Sequence, residues 1–353
     1  MSNHKCIIGI VFGGESGEHD VSIQSARTIV KALNHEINNK RYEALCIYID
    51  KQGNWWPPNI ALQAISKGYE LKSNHLPPTN GREGFKALPN ETDKVDIWFP
   101  VLHGPFGEDG CIQGLFSLVH KPFVGSGVLG SALGMDKIAM KSAFASAGLP
   151  QCGYETTEVN EIKNLNSLIL LIKRLEKNIG YPCFIKPANL GSSVGITKAY
   201  NSKELKQGLE IASQLDSRVL IEKNVLGREL ECAVLGKAKM QTSSIGEVQH
   251  HSDWYDYQTK YSANSIKPII PAALPKLITQ KIQSLTLAAC KAIAAHSIAR
   301  VDFFYSDVRN EILINEINTF PGFTAQSMYP MLWAASGLTI EDLVSQLIET
   351  ARE

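Results

Sequence analysis

Residues 5–12 form a nearly unbroken apolar run that stops at Gly13-Gly14. A strand that is apolar on both faces must be covered on both, the condition of a parallel strand inside an α/β layer structure, and paired glycines suit the tight loop that leaves it. The stretch behind it places Ala26, Ile29, Val30 and Leu33 on one helical face. Further strand patterns at 42–50 and 95–102 complete an α/β unit that ends near Met135, after the glycine-rich stretch 125–134. A second unit opens with a helix over 136–147 and carries strands at 182–186 and 219–223, separated by a helix that starts near Ser202. From about Glu229 the pattern reads as a strand and then a loop rich in Trp and Tyr. A helix with Ile278, Ile282, Leu285 and Ala289 follows, then two strands, and a last helix capped by Thr339. The expectation is an α/β protein of three lobes, divided as 1–135, 136–228 and 229–353.

With 353 residues and 44% hydrophobic side chains, the chain has enough apolar surface for two or three cores. Apolar runs such as 168–172 fall far short of the ~20 residues of a membrane-spanning helix. The short polar start leads directly into the first strand without the features of a signal peptide, so the expected location is cytoplasmic and no membrane partner is expected. Lys plus Arg balance Asp plus Glu at 35 each, and no basic run is interleaved with aromatics, which argues against nucleic acid as a partner. The seven cysteines are scattered without a C-x-x-C pair, a pattern of reduced thiols and not of a disulfide framework or zinc site.

Near the C-terminus, Arg300 and Asp302 share one face of the strand pattern at 298–305, and Glu316 and Asn318 share one face of 311–318. Ser306, Asp307 and Asn310 between them are turn formers, so a hairpin whose polar faces meet is expected. Two readings fit: a solvated face with cross-strand ion pairs, or a cation site built from Asp302, Glu316 and Asn318 with a guanidinium beside it. Oxygen-only ligands suit Mg²⁺, which completes its shell from water and phosphate. The neighbours Ile312, Leu313, Ile314 and Ile317 favour the site, because charges embedded in an apolar strand need a partner or a metal.

Other segments supply phosphate-binding chemistry. Lys186-Pro187 runs into Gly191-Ser192-Ser193-Val194-Gly195, a small-residue loop able to close over phosphates with backbone N–H groups, although many such loops are simply turns. No G-x-x-x-x-G-K-[ST] occurs. Residues 125–130 match G-x-G-x-x-G, but no acidic residue follows about twenty residues on, so a dinucleotide site is not expected. Lys137 and Lys186 could offset phosphate charge or be ordinary surface lysines. His103 follows a strand, where α/β proteins place ligand loops, and a structural role for it is equally open.

Taken in order, GGESGEHDVS (from Gly13), LHGPFGEDG (from Leu102), GSGVLGSALGMDK (from Gly125), IKPANLGSSVG (from Ile185), YDYQTKY (from Tyr255), RVDFF (from Arg300) and NEINTFPGFTAQS (from Asn315) resemble the ATP-grasp superfamily. Within it they resemble the D-alanine:D-alanine ligase family of peptidoglycan synthesis. The resemblance covers essentially the whole chain. It implies an ATP-grasp architecture with the nucleotide held between the central and C-terminal lobes, and ligation of two D-alanine molecules through an acyl phosphate. Asp302, Glu316 and Asn318 would bind two Mg²⁺ ions, for which Mn²⁺ could substitute, with Glu316 bridging. Lys137, Lys186 and Ser193 would contact ATP phosphates, and Glu222, Lys223, Val225 and Glu229 would line the adenosine pocket.

On the substrate side, the resemblance implies that Glu18 holds the first ammonium group and is linked through Ser192 to Tyr261, while Ser327 and Lys260 anchor the second carboxylate. Arg300 and the Gly322 N–H would stabilise the oxyanion, and His103 would lie beside the first substrate. A tyrosine at Tyr261 goes with an amine acceptor in place of the lactate hydroxyl. The aromatic segment with Trp254, Tyr255, Tyr257 and Tyr261 reads as a lid that keeps water from the acyl phosphate, or as a surface loop or subunit contact. A homodimer is the family expectation. Asn224 and Arg228 stand at variable nucleotide-pocket positions and Trp254 replaces a common phenylalanine, which leaves nucleotide geometry less constrained than the chemistry.

Overall fold

The computed structural model describes residues 4–78, 84–191, 193–250 and 266–353. The apolar run near the N-terminus is strand β1 (Cys6–Gly13), and Ile8, Ile10, Val11 and Phe12 are fully buried in it. It lies between β2 (Tyr42–Ile49) and β4 (Ile97–Val101), parallel to both, with the short β3 (Trp55–Trp56) antiparallel on the far side of β2. Burial from both faces explains why its pattern does not alternate. Helix α1 (His19–Asn34) covers one face with Ile23, Ala26, Ile29 and Leu33. The strand ends at Gly13, where φ is +97° and a Cβ would stand 2.1 Å from the Ile49 carbonyl oxygen, so only glycine fits. Helix α2 (Pro58–Lys67) packs beside β2.

Helices α3 (Cys111–Leu118), α4 (Val128–Met135) and α5 (Lys137–Ser146) lead to the second sheet. Asp136 caps α5 by accepting from the Ala139 N–H at 2.9 Å. The G-x-G-x-x-G match does packing work at its last glycine: a Cβ at Gly130 would meet the Ala294 carbonyl oxygen at 2.6 Å, so its absence lets α4 lie against that backbone.

The second sheet consists of β5 (Tyr154–Glu158), β6 (Cys183–Pro187), β7 (Thr197–Ala199) and β8 (Arg218–Lys223), antiparallel in the order β5-β8-β6-β7. Helices α6 (Val159–Lys163), α7 (Leu165–Asn178) and α8 (Ser202–Leu215) close its core with Leu171, Leu175, Leu205 and Leu209 against Ile185 and Ile221.

The third sheet has five strands in the order β11-β10-β9-β12-β13, all antiparallel. They are β9 (Arg228–Gly236), β10 (Gln241–His250), β11 (Ile266–Ile269), β12 (Ser297–Ser306) and β13 (Glu311–Asn318), backed by α9 (Lys276–Ala292). Strand β10 is absent from the sequence reading, which passes from one strand directly into a loop. Its residues QTSSIGEVQH offer few apolar positions, and its pairing with β9 is interrupted between Thr242 and Ile245, so no regular alternation survives.

The largest core ignores the division into sheets. It joins Ile8, Phe12, Ile29 and Phe99 to Phe320, Phe323, Tyr329 and Leu347, so helices α10 (Met328–Ala335) and α11 (Ile340–Thr350) rest on the N-terminal layer. The loop between β13 and α10 is thereby pressed against the ends of β1 and β4.

All seven cysteines are free, and five of them are buried. Burial pushes Cys46 and Cys290 up to about 12 and Cys152, Cys183 and Cys232 up to about 11. The thiolate is the nucleophile, so alkylation of the native protein at pH 8 should begin at exposed Cys111, reach half-buried Cys6 slowly and spare the rest until denaturant is added. Intact-mass spectra over time check this. Rapid labelling of all seven would contradict the packing.

Candidate active site

The β12–β13 hairpin brings its polar faces together in register: Arg300 stands opposite Asn318, and Asp302 opposite Glu316. Asp302 is also paired with Glu231 on β9, so three carboxylates lie in a row across three strands. Arg300 is held among them. Its Nε and Nη2 donate to the two Asp302 oxygens at 2.7 Å each, and Nε lies 2.9 Å from Glu231 Oε2. Burial acts against the guanidinium charge, yet Asp302, Glu231 and Glu316 raise its pKa further above the ordinary value. Asn318 Nδ2 donates to Asp302 Oδ2 at 3.1 Å.

Across the cleft, Glu222 on β8 is 3% exposed and sits between two ammonium groups. Lys141 Nζ, on a side chain 1% exposed, is 2.5 Å away, and Lys186 at the end of β6 is in contact with its other oxygen. Burial alone would raise the Glu222 pKa, but Lys186 and Lys141 hold it well below the usual carboxylate range. For Lys186, burial works against the charge, and Glu222 with Glu316 overcomes it, so the ammonium is kept. The Cys152 thiol donates to Glu222 Oε1, the oxygen that Lys141 contacts, at 3.3 Å.

Lys137, at the start of α5, is fixed to the turn after β6: its N–H donates to the Ala188 carbonyl at 2.9 Å and its Nζ to the Leu190 carbonyl at 2.5 Å. That turn continues to Gly191, where a Cβ would stand 3.4 Å from Glu18 Oε2. The loop after β1 and the glycine loop of the central sheet therefore meet. Ser193 has φ +60°, a left-handed conformation that bends the loop back.

The loop between β13 and α10 forms the third side. The Thr324 N–H donates to Ser327 Oγ at 3.0 Å, and a Cβ on Gly322 would lie 3.2 Å from the same Oγ, which puts the Gly322 backbone beside that hydroxyl. His103 is 4% exposed, with Nδ1 3.1 Å from the Phe320 carbonyl oxygen. A carbonyl can only accept, so Nδ1 carries the proton. Burial lowers the ring's pKa, against Glu18 and that carbonyl, and the imidazole is neutral with a lone pair on Nε2. Nearby Glu108 is pushed up to about 8 by burial and by Glu18, while N–H bonds from Gly104 and Phe320 and the charge of Arg300 act the other way.

Apart from Lys141, which lies behind Glu222, these side chains line one cavity of about 980 Å³. It contains Glu18, His103, Lys137, Lys186, Ser193, Glu222, Lys223, Val225, Glu229, Arg300, Asp302, Glu316, Asn318, Gly322 and Ser327, every expected site residue that the structure describes. Ser192, Lys260 and Tyr261 lie outside the described residues, as do Trp254, Tyr255 and Tyr257. Three members of the site were not foreseen from sequence: Lys141, Glu231 and Glu108. Lys141 follows Lys137 by one helical turn, and Glu231 follows Glu229 by two strand positions, so spacing carried a signal for both. Glu108 stands in a loop with no periodicity.

The residues present fit a divalent cation. Two carboxylates, Asp302 and Glu316, face each other across β12 and β13 as hard oxygen donors of the kind Mg²⁺ takes, with the Asn318 carboxamide beside Asp302. Among the described residues, no group of three or more His, Cys, Asp and Glu side chains has the geometry of a metal cage.

Two antiparallel sheets face one cleft, with lysines and a glycine loop on one wall and carboxylates on the other, and they define an ATP-grasp protein. The family model described as the D-ala D-ala ligase N-terminus matches residues 7–126, and that of the D-ala D-ala ligase C-terminus matches residues 143–349. The chain belongs to the D-alanine–D-alanine ligase family. A D-alanine–D-alanine ligase of Prochlorococcus marinus is 58% identical over 99% of this chain and 100% of its own, and one of Synechococcus sp. (strain WH7803) is 52% identical over 98% of both. Among solved structures, the VanG D-Ala:D-Ser ligase from Enterococcus faecalis superposes with a TM-score of 0.81 at 33% identity, covering 99% of this chain and 100% of that one. The D-alanine-D-alanine ligase from Coxiella burnetii gives 0.78 at 32%, covering 98% and 94%.

Proposed function

We propose that this protein joins two molecules of D-alanine into D-alanyl-D-alanine, converting ATP to ADP and phosphate, as a step in making peptidoglycan precursors. The observation that carries the reading is that Lys137, Lys186, Glu18, Arg300, Asp302, Glu316 and Ser327 open into a single cavity from all three sheets or their connecting loops. Residues 1–135 would hold the first substrate, 136–228 would form the central ATP-grasp lobe, and 229–353 would carry the cation residues.

A carboxylate does not condense with an amine in water until it is activated. The carboxylate of the first D-alanine attacks the γ-phosphorus of ATP, ADP departs, and an acyl phosphate results. Lys137, Lys186 and the Ser193 turn would hold the phosphates, with Glu222, Lys223, Val225 and Glu229 around the adenosine. Asp302, Glu316 and Asn318 would hold Mg²⁺, in two ions, or Mn²⁺ in its place. That cation supplies charge neutralisation at the phosphoryl oxygens when bound. Glu18 would take the first ammonium group and, with Ser192 and Tyr261, help place the second amine.

The second amine, once deprotonated, attacks the acyl carbon, and phosphate leaves as the amide forms. Arg300 and the Gly322 N–H would face the oxyanion of the tetrahedral intermediate, where one donor is worth about 3 kcal/mol. Ser327 and Lys260 would hold the second carboxylate. The setting is taken to be the cytoplasm, where ATP is available, with the enzyme as a homodimer.

The test is phosphate release from ATP and Mg²⁺ with D-alanine, D-serine, L-alanine or D-lactate as the added substrate. D-alanine alone should give sustained turnover and a dipeptide product. Strong preference for a mixed D-alanine and D-serine reaction would reassign the acceptor, and no D-alanine dependence would overturn the reading.

A further inference from the structure

Both backbone polar groups of Phe320 are gripped by one loop of the N-terminal layer. The Phe320 N–H donates to Glu108 Oε1 at 3.2 Å, and the Phe320 carbonyl accepts from His103 Nδ1 at 3.1 Å. The second oxygen of Glu108 accepts from the Gly104 N–H at 2.7 Å. The gripping loop is itself braced: the Gly107 and Glu108 N–H groups donate to the Gly104 carbonyl, Gln113 Nε2 donates to the Gly107 carbonyl at 2.8 Å, and the Gly110 N–H returns to Gln113 Oε1 at 3.1 Å. The Phe320 ring packs edge-on to Phe99 with centroids 6.1 Å apart, and lies 6.0 Å from the His103 ring. Farther along the same loop, the Phe323 N–H donates to Ser25 Oγ at 3.0 Å.

We propose that Glu108, together with His103, is a positioning residue of the bond-forming step: it clamps the Phe320 backbone so that the Gly322 N–H, two residues on, stays aimed at the developing oxyanion. The inference rests on the ligase reading above. A hydrogen-bond donor acts on a transition state only if its placement is held within about 0.5 Å. The donor loop belongs to the C-terminal part of the chain, and Thr319, Phe320, Pro321 and Gly322 lie outside any strand or helix, so beyond the fixed φ of Pro321 the loop depends on its neighbours for that rigidity. The clamp provides it from residues 212 and 217 positions away in sequence. Thus the amide-forming half of the reaction depends on contact between the N-terminal and C-terminal layers, whereas acyl phosphate formation, at Lys137 and Lys186, does not pass through the clamp.

That division gives a readout that a general loss of structure would not produce. If the Gly322 N–H drifts while phosphoryl transfer continues, the acyl phosphate waits longer and water captures it, returning D-alanine and phosphate. Phosphate released per dipeptide formed then rises above one. Glu108→Gln keeps shape and one acceptor oxygen, and Glu108→Ala keeps neither.

Expected for Glu108→Ala is a kcat fall of about 100-fold, as for loss of one oxyanion donor. The KM for ATP should stay within about twofold, as expected when transition-state binding alone is lost. The phosphate-to-dipeptide ratio should exceed one, and the glutamine variant should fall between alanine and the parent on both measures. A ratio that remains at one in the folded glutamine variant, or an unchanged kcat in either, overturns the proposal. Absence of D-alanine-dependent turnover in the parent protein would instead overturn the ligase reading.

Discussion

Glu222→Gln should destabilise the protein by about 3–5 kcal/mol, the usual consequence of removing one partner from a buried ion cluster. The side chain keeps its size, so the effect isolates charge. Lys141 and Lys186 are then left facing a neutral amide, and Lys141, 1% exposed, has no route to water. Lys186, 13% exposed, can turn toward the cavity. The double variant Glu222→Gln/Lys141→Met should therefore recover much of the loss. Urea unfolding of the two variants beside the parent measures both steps, and equal stability of Glu222→Gln and the parent would contradict the charge argument. The pH dependence has a fixed sign. Glu222 has a depressed pKa in the folded protein, so its contribution is complete above the ordinary carboxylate value of about 4.3 and is lost as pH falls through the lower folded value. The glutamine variant should lack that part of the acid-induced loss.

The cluster also shows where sequence reading stops. A lysine one turn after Lys137 shares its side of the helix but reads equally as a solvated residue, and only the seating of Met140 and Phe144 of α5 in the core of the third sheet turns Lys141 inward to meet Glu222. Glu231 is similar: its two-residue spacing from Glu229 was visible, but its place beside Arg300 depends on β9 pairing with β12, a contact between segments about seventy residues apart. The hairpin, by contrast, was legible because it needs only local rules. Alternation set the faces of β12 and β13, and the turn formers between them set the direction. Even there, the register shift between Asp302 and Phe303, where Asp302 faces Glu316 but Phe303 faces Ile314, left no sequence signature. Strand β1 was legible for another reason: unbroken apolar character ending in glycines leaves little alternative to a buried strand.

Glu316→Gln should lower kcat by about 10³-fold or more, since a cation that neutralises phosphoryl charge accounts for several kcal/mol of transition-state stabilisation. Glu316 is a sharper probe than Asp302. Asp302 receives both arms of the Arg300 fork, so its replacement would disturb the oxyanion residue and the cation residues together. Glu316, on the facing strand, contributes to Arg300 through its charge, which helps raise the guanidinium pKa. Its substitution should leave Arg300 held by Asp302 and Glu231, and the fold intact.

Two readouts separate the cation role from a general electrostatic one. The Mg²⁺ concentration for half-maximal activity should rise in the variant, because a carboxylate ligand has become a weaker amide. The thermal stabilisation given by Mg²⁺ with a non-hydrolysable ATP analogue should shrink, since ligand binding stabilises the folded state in proportion to affinity. Retention of activity within about twofold at ordinary Mg²⁺ would mean that the row of carboxylates serves only to seat Arg300, with ΔΔG‡ too small for a lost cation ligand.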